Sequence, residues 1–278
     1  MMTYDINNYI YYTARWLICQ IFDHKIIVDF SLYICTIKKI YFLSYSYPMQ
    51  YKKLMLKLSG EALKNGSDDL FDYDFMRTLA AKIKALIANG HHIAVVLGAG
   101  NIYRGARQED IDRVQGDYVG MMATIINATV FAQVLEQAGQ KTKVFSSLSA
   151  PKVADDFVAK KAQQALADGY VVFCAGGTGH PFFSTDTAAA QKALELWCDV
   201  VVKATKVDGV YDKDPMKHTD AVKFDTITLQ EAQSRGLQVM DQTAFAIALE
   251  NKLPMIVCKM EDIEKIGTNQ LVHSYISA

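Results

Sequence analysis

A glycine-rich segment at residues 175–186 carries the residue types best suited to hold an anion. It follows an apolar run at 170–174, which predicts a buried strand, and it ends in Ser184-Thr185-Asp186, a helix start signal. A strand, a glycine loop and a helix N-terminus in this order direct backbone N–H groups and the positive end of a helix dipole at one place. The segment therefore predicts a phosphate-binding loop, although a plain strand-to-helix turn has the same composition.

A lysine at the end of an alternating segment is a second candidate for phosphate chemistry. Residues 52–58 alternate as a strand does, and Ser59 and Gly60 interrupt the pattern. The ammonium group of Lys57 would neutralise the oxygens of a phosphate in transfer. The alternative, a lysine that simply extends to water from the end of a strand, stays open at this point.

A second glycine loop, residues 98–105, follows the apolar strand predicted at 92–97. It offers backbone amides, and the guanidinium of Arg104 matches phosphate through two parallel hydrogen bonds. Asp117 lies inside the following helix or at its start, where it would accept hydrogen bonds from a ribose or only cap the helix.

Two common nucleotide-binding signatures are absent from this second loop. Gly100 and Gly105 have the spacing of a Walker A loop, but Ala106 stands where lysine is required. Gly98 and Gly100 are not followed by a third glycine three residues later. The sequence therefore does not predict a P-loop or a dinucleotide site.

A third polar segment, residues 201–215, begins as a buried strand and continues into an Asp208-Gly209 turn. An Asp-Gly pair alone would indicate a hairpin turn. Its other polar side chains, which include Thr205, Tyr211 and Asp214, predict the rim of a pocket with an aromatic ring available to a base.

These three polar segments are joined by a regular alternation of predicted strands and helices. The predicted strands are 52–58, 92–97, a short one from 144, 170–174, 199–203 and 255–259. The predicted helices are 72–89, a long one ending near 138, 155–168, 186–197, 228–235 and 241–250. Apolar strands in such an order predict an α/β fold, a three-layer αβα sandwich around a mostly parallel sheet. The loops at 57–60, 98–105 and 175–186 would then meet at the carboxyl ends of the strands, where ligands bind.

Composition restricts the class of protein. The 278 residues have a net charge of -1, so no bulk attraction to nucleic acid or to a membrane is expected. The five cysteines form no CxxC pair, which favours a reduced, intracellular protein, and the scattered histidines indicate no zinc site.

Residues 1–48 differ in composition from the rest of the chain. They contain one alanine and none of the 16 glycines, but 8 of the 15 tyrosines. Their apolar runs are too short for a membrane span, which needs about 20 residues, and no signal-peptide pattern is present. We expect a spurious or disordered extension before a single domain at 49–278, and a membrane-associating or partner-binding arm is the alternative.

From residue 49 to about 275 the chain resembles bacterial-type uridylate (UMP) kinase, of the amino-acid-kinase superfamily. The resemblance is carried by the segments 57–63, 96–105, 112–117, 178–186, 203–210 and 239–241. It implies the amino-acid-kinase fold and transfer of the γ-phosphoryl group of ATP to UMP, with Mg²⁺ accompanying ATP. It also implies a role in pyrimidine biosynthesis, a cytoplasmic location, a homohexamer, and GTP and UTP as effectors.

The resemblance assigns roles residue by residue. The catalytic residues would be Lys57, Arg104 and Asp186, with Asp186 organising the lysines. ATP would be bound by Lys57, Leu58, Ser59, Gly60, Gly100, Arg104, Thr205, Tyr211 and Asp214. UMP would be bound by Ala99, Asp117, Thr178, Gly179, His180, Pro181, Phe182, Phe183, Ser184 and Thr185. Within that set, the base would lie at 178–180 and the phosphate near Thr185.

Three positions depart from the family pattern. Ala99 replaces a glycine, so its backbone must avoid strongly positive φ. His180 stands where asparagine is usual, which affects base selectivity only if its side chain contacts uracil. Residues 65–71 do not match the segment near the effector site, which puts activation by GTP in doubt. The remaining alternatives are a sister kinase with another acceptor and a protein that binds ATP without turnover.

Overall fold

The computed structural model describes residues 51–103, 110–237 and 239–277, all within the compact unit Met49–Ala278. The expected extension at 1–48 and the predicted phosphate ligand Arg104 lie outside these residues. The strands are β1 (Lys53–Leu58), β2 (His92–Leu97), β3 (Thr142–Ser146), β4 (Asp155–Asp156), β5 (Val171–Ala175), β6 (Val200–Thr205), β7 (Val210–Tyr211), β8 (Lys223–Phe224), β9 (Thr226–Thr228), β10 (Met255–Lys259) and β11 (His273–Ser277). The α-helices are α1 (Gly60–Lys64), α2 (Tyr73–Ala88), α3 (Arg113–Gln137), α4 (Ala159–Ala167), α5 (Thr185–Glu195), α6 (Leu229–Ser234) and α7 (Gln242–Glu250), and a 3-10 helix spans Met260–Lys265.

Nine of the described strands form one sheet, in the order β4-β3-β5-β2-β1-β6-β10-β11-β9. Every ladder in it is parallel except that between β10 and β11. The strands β7 and β8 form a separate antiparallel pair. The sheet is therefore mostly parallel, as the alternation of strands and helices predicts.

The central strands are buried on both faces because their side chains alternate between two hydrophobic cores. Leu54, Leu56 and Leu58 of β1 join a core with α2, α3 and the 3-10 helix. Met55 of the same strand joins a second core with α4, α5, α6 and α7. Helices therefore cover both faces of the sheet, and the predicted three-layer αβα architecture is confirmed.

The predicted helix at 155–168 begins later than expected. Asp155 and Asp156 pair with the end of β3 as the edge strand β4, and α4 starts only at Ala159. Phe157 lies between them and packs edge-on against Phe145 at 6.4 Å between ring centroids. The two aspartates resemble a helix start in the sequence, but here they extend the sheet by one short strand.

The long helix α3 is, by length and composition, the one helix among the described residues that could cross a membrane. In the fold it is a core helix that buries Phe131 and Leu135 against the sheet. It also carries a buried polar contact between Asn127 and Asn101, which exchange hydrogen bonds of 2.8 and 3.1 Å. Asn127 donates a further hydrogen bond of 2.7 Å to Gly98 O, so α3 holds the second glycine loop in place.

We expect Asn127→Leu to lower the free energy of unfolding by about 3 kcal/mol, because it leaves Gly98 O and Asn101 Oδ1 buried without their hydrogen-bond donor. Urea unfolding followed by circular dichroism measures this change. The control is Asn251→Leu, since the Asn251 amide bonds only Ile247 O at the exposed end of α7 and should cost less than about 1 kcal/mol. Equal costs for the two variants would contradict the proposed anchoring of the loop.

Candidate functional site

Two lysines lie side by side on neighbouring strands at the carboxyl ends of β1 and β6. Lys57 is the register partner of Lys203 in the parallel β1–β6 ladder. Met55 and Val201, two residues earlier on each strand, lie in the core that α5 covers, so both lysines point to the face of α5. Two ammonium groups this close repel each other unless an anion lies between them.

Asp186 in the first turn of α5 supplies that anion. Its Oδ1 lies 2.7 Å from Lys57 Nζ and its Oδ2 lies 2.9 Å from Lys203 Nζ. Ser184 places this residue, since it is the N-cap of α5 and accepts hydrogen bonds from the N–H groups of Asp186 and Thr187. The predicted helix start at 184–186 is therefore found in the structure.

Burial and charge determine the ionisation of this cluster. Burial acts to raise the pKa of Asp186, but Lys57 and Lys203 outweigh it and hold the pKa below its ordinary value of 3.8. Burial lowers the pKa of Lys203, and Asp186 opposes this effect only in part. Asp186 is thus a permanent anion at neutral pH and is poorly suited to act as a general base.

A second carboxylate, Asp241, fixes the position of the α5 N-terminus. The hydroxyl of Thr187 donates to it at 3.0 Å, and the hydroxyl of Ser184 donates to it as well. Asp241 also caps α7 by accepting a hydrogen bond from Ala244 N at 2.9 Å. The residues before Asp241 contribute too, since Lys203 donates to Val239 O.

The segment 57–60 and the start of the second glycine loop contact each other beside Lys57. Leu58 O accepts a hydrogen bond of 2.9 Å from Gly98 N, and a Cβ at Gly60 would lie 2.7 Å from Gly100 N. Only glycine therefore fits at position 60. Ser59 precedes α1 and makes no side-chain capping bond.

The backbone of the second loop agrees with the expectation for Ala99. Among the described residues, the non-glycine positions with positive φ are Asn65, Phe182, Trp197 and Lys252. Ala99 is not one of them, so the alanine fits without strain.

A cavity of about 590 Å³ opens on one side of the lysine cluster, and Lys203 contributes to its wall. Thr205, Tyr211 and Asp214, predicted to contact the ATP nucleoside, all line it. The Tyr211 hydroxyl donates to Asp208 at 2.7 Å, which raises the pKa of Tyr211 to about 12 and keeps the phenol neutral. The Thr205 hydroxyl closes a local turn with Val207.

A smaller cavity, of about 170 Å³, opens on the other side, and Thr185 contributes to its wall next to Asp186. The other predicted acceptor residues in its lining are Ala99, Asp117, Phe183 and Ser184. Asp117 lies inside α3, and Asp112 caps that helix, so Asp117 is not the N-cap. The buried hydroxyl of Tyr103, also in the lining, has no hydrogen-bond partner among the described residues.

The segment 176–180 is fixed from two sides by residues that the sequence did not single out. Thr124 of α3 accepts a hydrogen bond from Gly176 N at 2.9 Å, and the Ser147 hydroxyl donates to Gly177 O at 3.1 Å. Thr178 bonds both the N–H and the carbonyl of His180. The His180 side chain is exposed, and both hydrogen bonds with Thr178 are made by the main chain of His180.

The predicted acceptor residues at 178–183 are half-buried or exposed. Pro181 is half-buried, and Phe182 and Phe183 are 66% and 46% exposed. Gly179 has positive φ and packs on Ser147. Thr178 lines a third, separate hollow with residues of β3, β4 and α5.

Lys203 is the main residue absent from the predicted site. It lies near the carboxyl end of a buried strand as Lys57 does, so the same sequence signal applied to it. Its significance depends on the β1–β6 pairing, which the sequence does not specify.

We expect Asp186→Asn to lower the free energy of unfolding at pH 7 by about 2 kcal/mol, because two largely buried lysines lose their shared counter-charge. The pKa of Asp186 is lowered in the folded state, so its stabilisation is present above the unfolded-state value and is lost as pH falls through the folded-state value. Urea midpoints of the two proteins should differ at pH 7 and begin to converge below about pH 4, as Asp186 becomes protonated first in the unfolded chain. Asp74→Asn, at a side chain that is 92% exposed, is the control. A constant difference across this pH range would contradict the interpretation.

Known proteins share this arrangement of elements. The chain is 44% identical over 212 residues to a uridylate kinase of Sulfurovum sp. (strain NBC37-1), across 75% of this chain and 90% of the relative. Among solved structures it is similar to UMP kinase from Bacillus anthracis, with a TM-score of 0.78 and 31% identity over 82% of this chain and 96% of that one. It is also similar to UMP kinase from Ureaplasma parvum, with a TM-score of 0.76 and 32% identity over 83% of this chain and 100% of that one.

A family model agrees with these similarities. The model of the amino acid kinase family matches residues 52–259, a span that runs from β1 through β10 and includes the lysine cluster and both cavities. The chain therefore belongs to the amino acid kinase family.

Proposed function

We propose that the protein transfers the γ-phosphoryl group of ATP to UMP and releases UDP and ADP. The observation that carries this proposal is the position of the Lys57–Asp186–Lys203 cluster between two cavities. Lys203 lines the larger cavity, and Thr185, adjacent to Asp186, lines the smaller one. The 44% identity to a uridylate kinase supports UMP as the acceptor.

In this proposal, each cavity holds one of the two substrates. The larger one would hold the nucleoside of ATP against Thr205, Tyr211 and Asp214, with its phosphates extending to the lysines. The smaller one would hold UMP, with the ribose at Asp117 and the phosphate at Thr185, where the N-terminus of α5 favours an anion. The transferring phosphoryl group would then lie beside Lys57.

The chemistry needs positioning and charge neutralisation more than it needs a base. A phosphate oxygen of UMP attacks the γ-phosphorus, the bond to the bridging oxygen of ADP breaks, and no proton has to leave the nucleophile. Lys57 and Lys203 would stabilise the charge on the equatorial and leaving oxygens. Asp186 holds both ammonium groups before substrate binds, which lowers the cost of reorganisation in the transition state.

Mg²⁺ would enter with ATP as part of the substrate. The described residues contain no group of three or more His, Cys, Asp or Glu side chains that could hold a metal ion. Mg²⁺ commonly binds nucleotide phosphates and water with only one or two protein carboxylates, so a magnesium–ATP complex does not require such a group.

We also propose a cytoplasmic homohexamer that acts in pyrimidine biosynthesis, with UTP and, despite the mismatch at residues 65–71, GTP as effectors. The surface of α3 supports assembly, because Met122 and Ile126 are 51% and 48% exposed one turn apart on this helix. An apolar stripe of this kind favours contact with another protein surface.

A coupled assay of ADP release with UMP, with CMP and without acceptor tests the proposed function directly. We expect turnover with UMP to exceed that with CMP and the background. Faster turnover with another acceptor would indicate a sister kinase, and ATP binding without turnover would indicate a binding protein.

We expect Lys57→Ala to lower kcat by about 100-fold or more, because one preorganised positive group is lost. The matched control is Lys53→Ala, since Lys53 lies on the same face of β1 at the opposite end and packs over the Trp197 ring at 5.6 Å. Both variants should keep the circular dichroism spectrum of the wild type. Near-normal turnover in Lys57→Ala would refute the proposed site.

A further inference from the structure

Phe182, in the loop that lines the smaller cavity, has an unfavourable backbone conformation although its side chain is not buried. Its φ is 71°, in the left-handed region that non-glycine residues rarely adopt, and its side chain is 66% exposed. Packing of the ring into a core therefore does not account for this backbone. A specific contact must hold it.

That contact is a hydrogen bond of 2.7 Å from Phe182 N to Asp117 Oδ2. The same oxygen accepts a hydrogen bond of 2.9 Å from Arg113 Nε, one turn earlier on α3. The Arg113 guanidinium also lies over the Phe182 ring, 5.8 Å from its centroid. Arg113 thus contacts both the carboxylate and the ring that the carboxylate holds.

The geometry leaves part of Asp117 available to a ligand. Both hydrogen bonds are made to Oδ2, and no described residue donates to Oδ1. The Asp117 side chain is only 16% exposed, and Asp117 and Arg113 both line the smaller cavity. A ribose hydroxyl can therefore reach Oδ1 while Phe182 and Arg113 remain bound to Oδ2.

We propose that Arg113 is a positioning residue for the acceptor nucleotide, and this inference rests on the proposed function. Arg113 orients Asp117 and, through it and the Phe182 ring, fixes the loop that closes the smaller cavity. Because the loop is ordered before the acceptor binds, less entropy is lost on binding. Arg113 does not touch the reacting atoms, so its contribution is to acceptor affinity and not to turnover.

The kinetic test compares Arg113→Ala with the wild type. We expect the KM for UMP to rise by about tenfold, while kcat and the KM for ATP stay within about twofold. Arg113→Lys keeps a positive charge beside Asp117, so its KM for UMP should rise less than that of Arg113→Ala. Arg77→Ala is the control, because Arg77 forms an exposed ion pair with Asp74 on α2, away from both cavities. An unchanged KM for UMP, or a fall in kcat alone, would overturn the proposal.

A second readout does not depend on the reaction. Chymotrypsin cleaves after exposed aromatic residues, and Phe182 and Phe183 are both exposed in this loop. We expect Arg113→Ala to be cut at this site several times faster than the wild type and Arg77→Ala to be cut at the wild-type rate. Faster cutting would support the positioning role even if the wild type made no UDP, which would refute only the proposed function. Equal cutting rates would overturn the positioning role.

Discussion

The structure depends on one carboxylate that neutralises two lysines on adjacent strands. Lys57 and Lys203 are register partners, so their charges are forced together by the pairing of β1 with β6. Asp186 contacts both, and it can do so only because α5 begins directly above the carboxyl ends of these strands. The strand register, the position where α5 starts and the ionisation of the cluster therefore depend on one another.

This cluster organises the loops around it. Gly60 permits the segment 57–60 to touch the second glycine loop, and Asn127 of α3 fixes that loop through Gly98 O. Asp241 holds the start of α5 through the hydroxyls of Ser184 and Thr187. The two cavities both reach the charged centre, one at Lys203 and the other at Thr185, as phosphoryl transfer between two bound nucleotides requires.

Local patterns predicted most of the architecture. The apolar strands, the helix ends and the cap at Ser184 could be predicted because each depends on neighbouring residues. The helix start predicted at Asp155 and Asp156 was wrong, because an edge strand and a helix start can have the same composition.

The loops of the site could be predicted from the sequence, but the contacts between residues far apart in the sequence could not. Lys57 and Asp186 stand out by position, whereas the role of Lys203 depends on a ladder between strands almost 150 residues apart in sequence. The contact of Asn101 with Asn127 and the bond from Phe182 to Asp117 likewise join distant segments. No periodicity within a single segment specifies such contacts.

The most direct test of this account is a double-mutant cycle on kcat with Lys57→Ala, Lys203→Ala and the variant that carries both changes. If Asp186 makes the two lysines one electrostatic unit, the second substitution should cost far less than the first, and the double variant should be within about tenfold of the worse single variant. If the double variant instead loses the full product of the two single losses, the lysines act independently, and the account of a single cluster held by Asp186 is wrong.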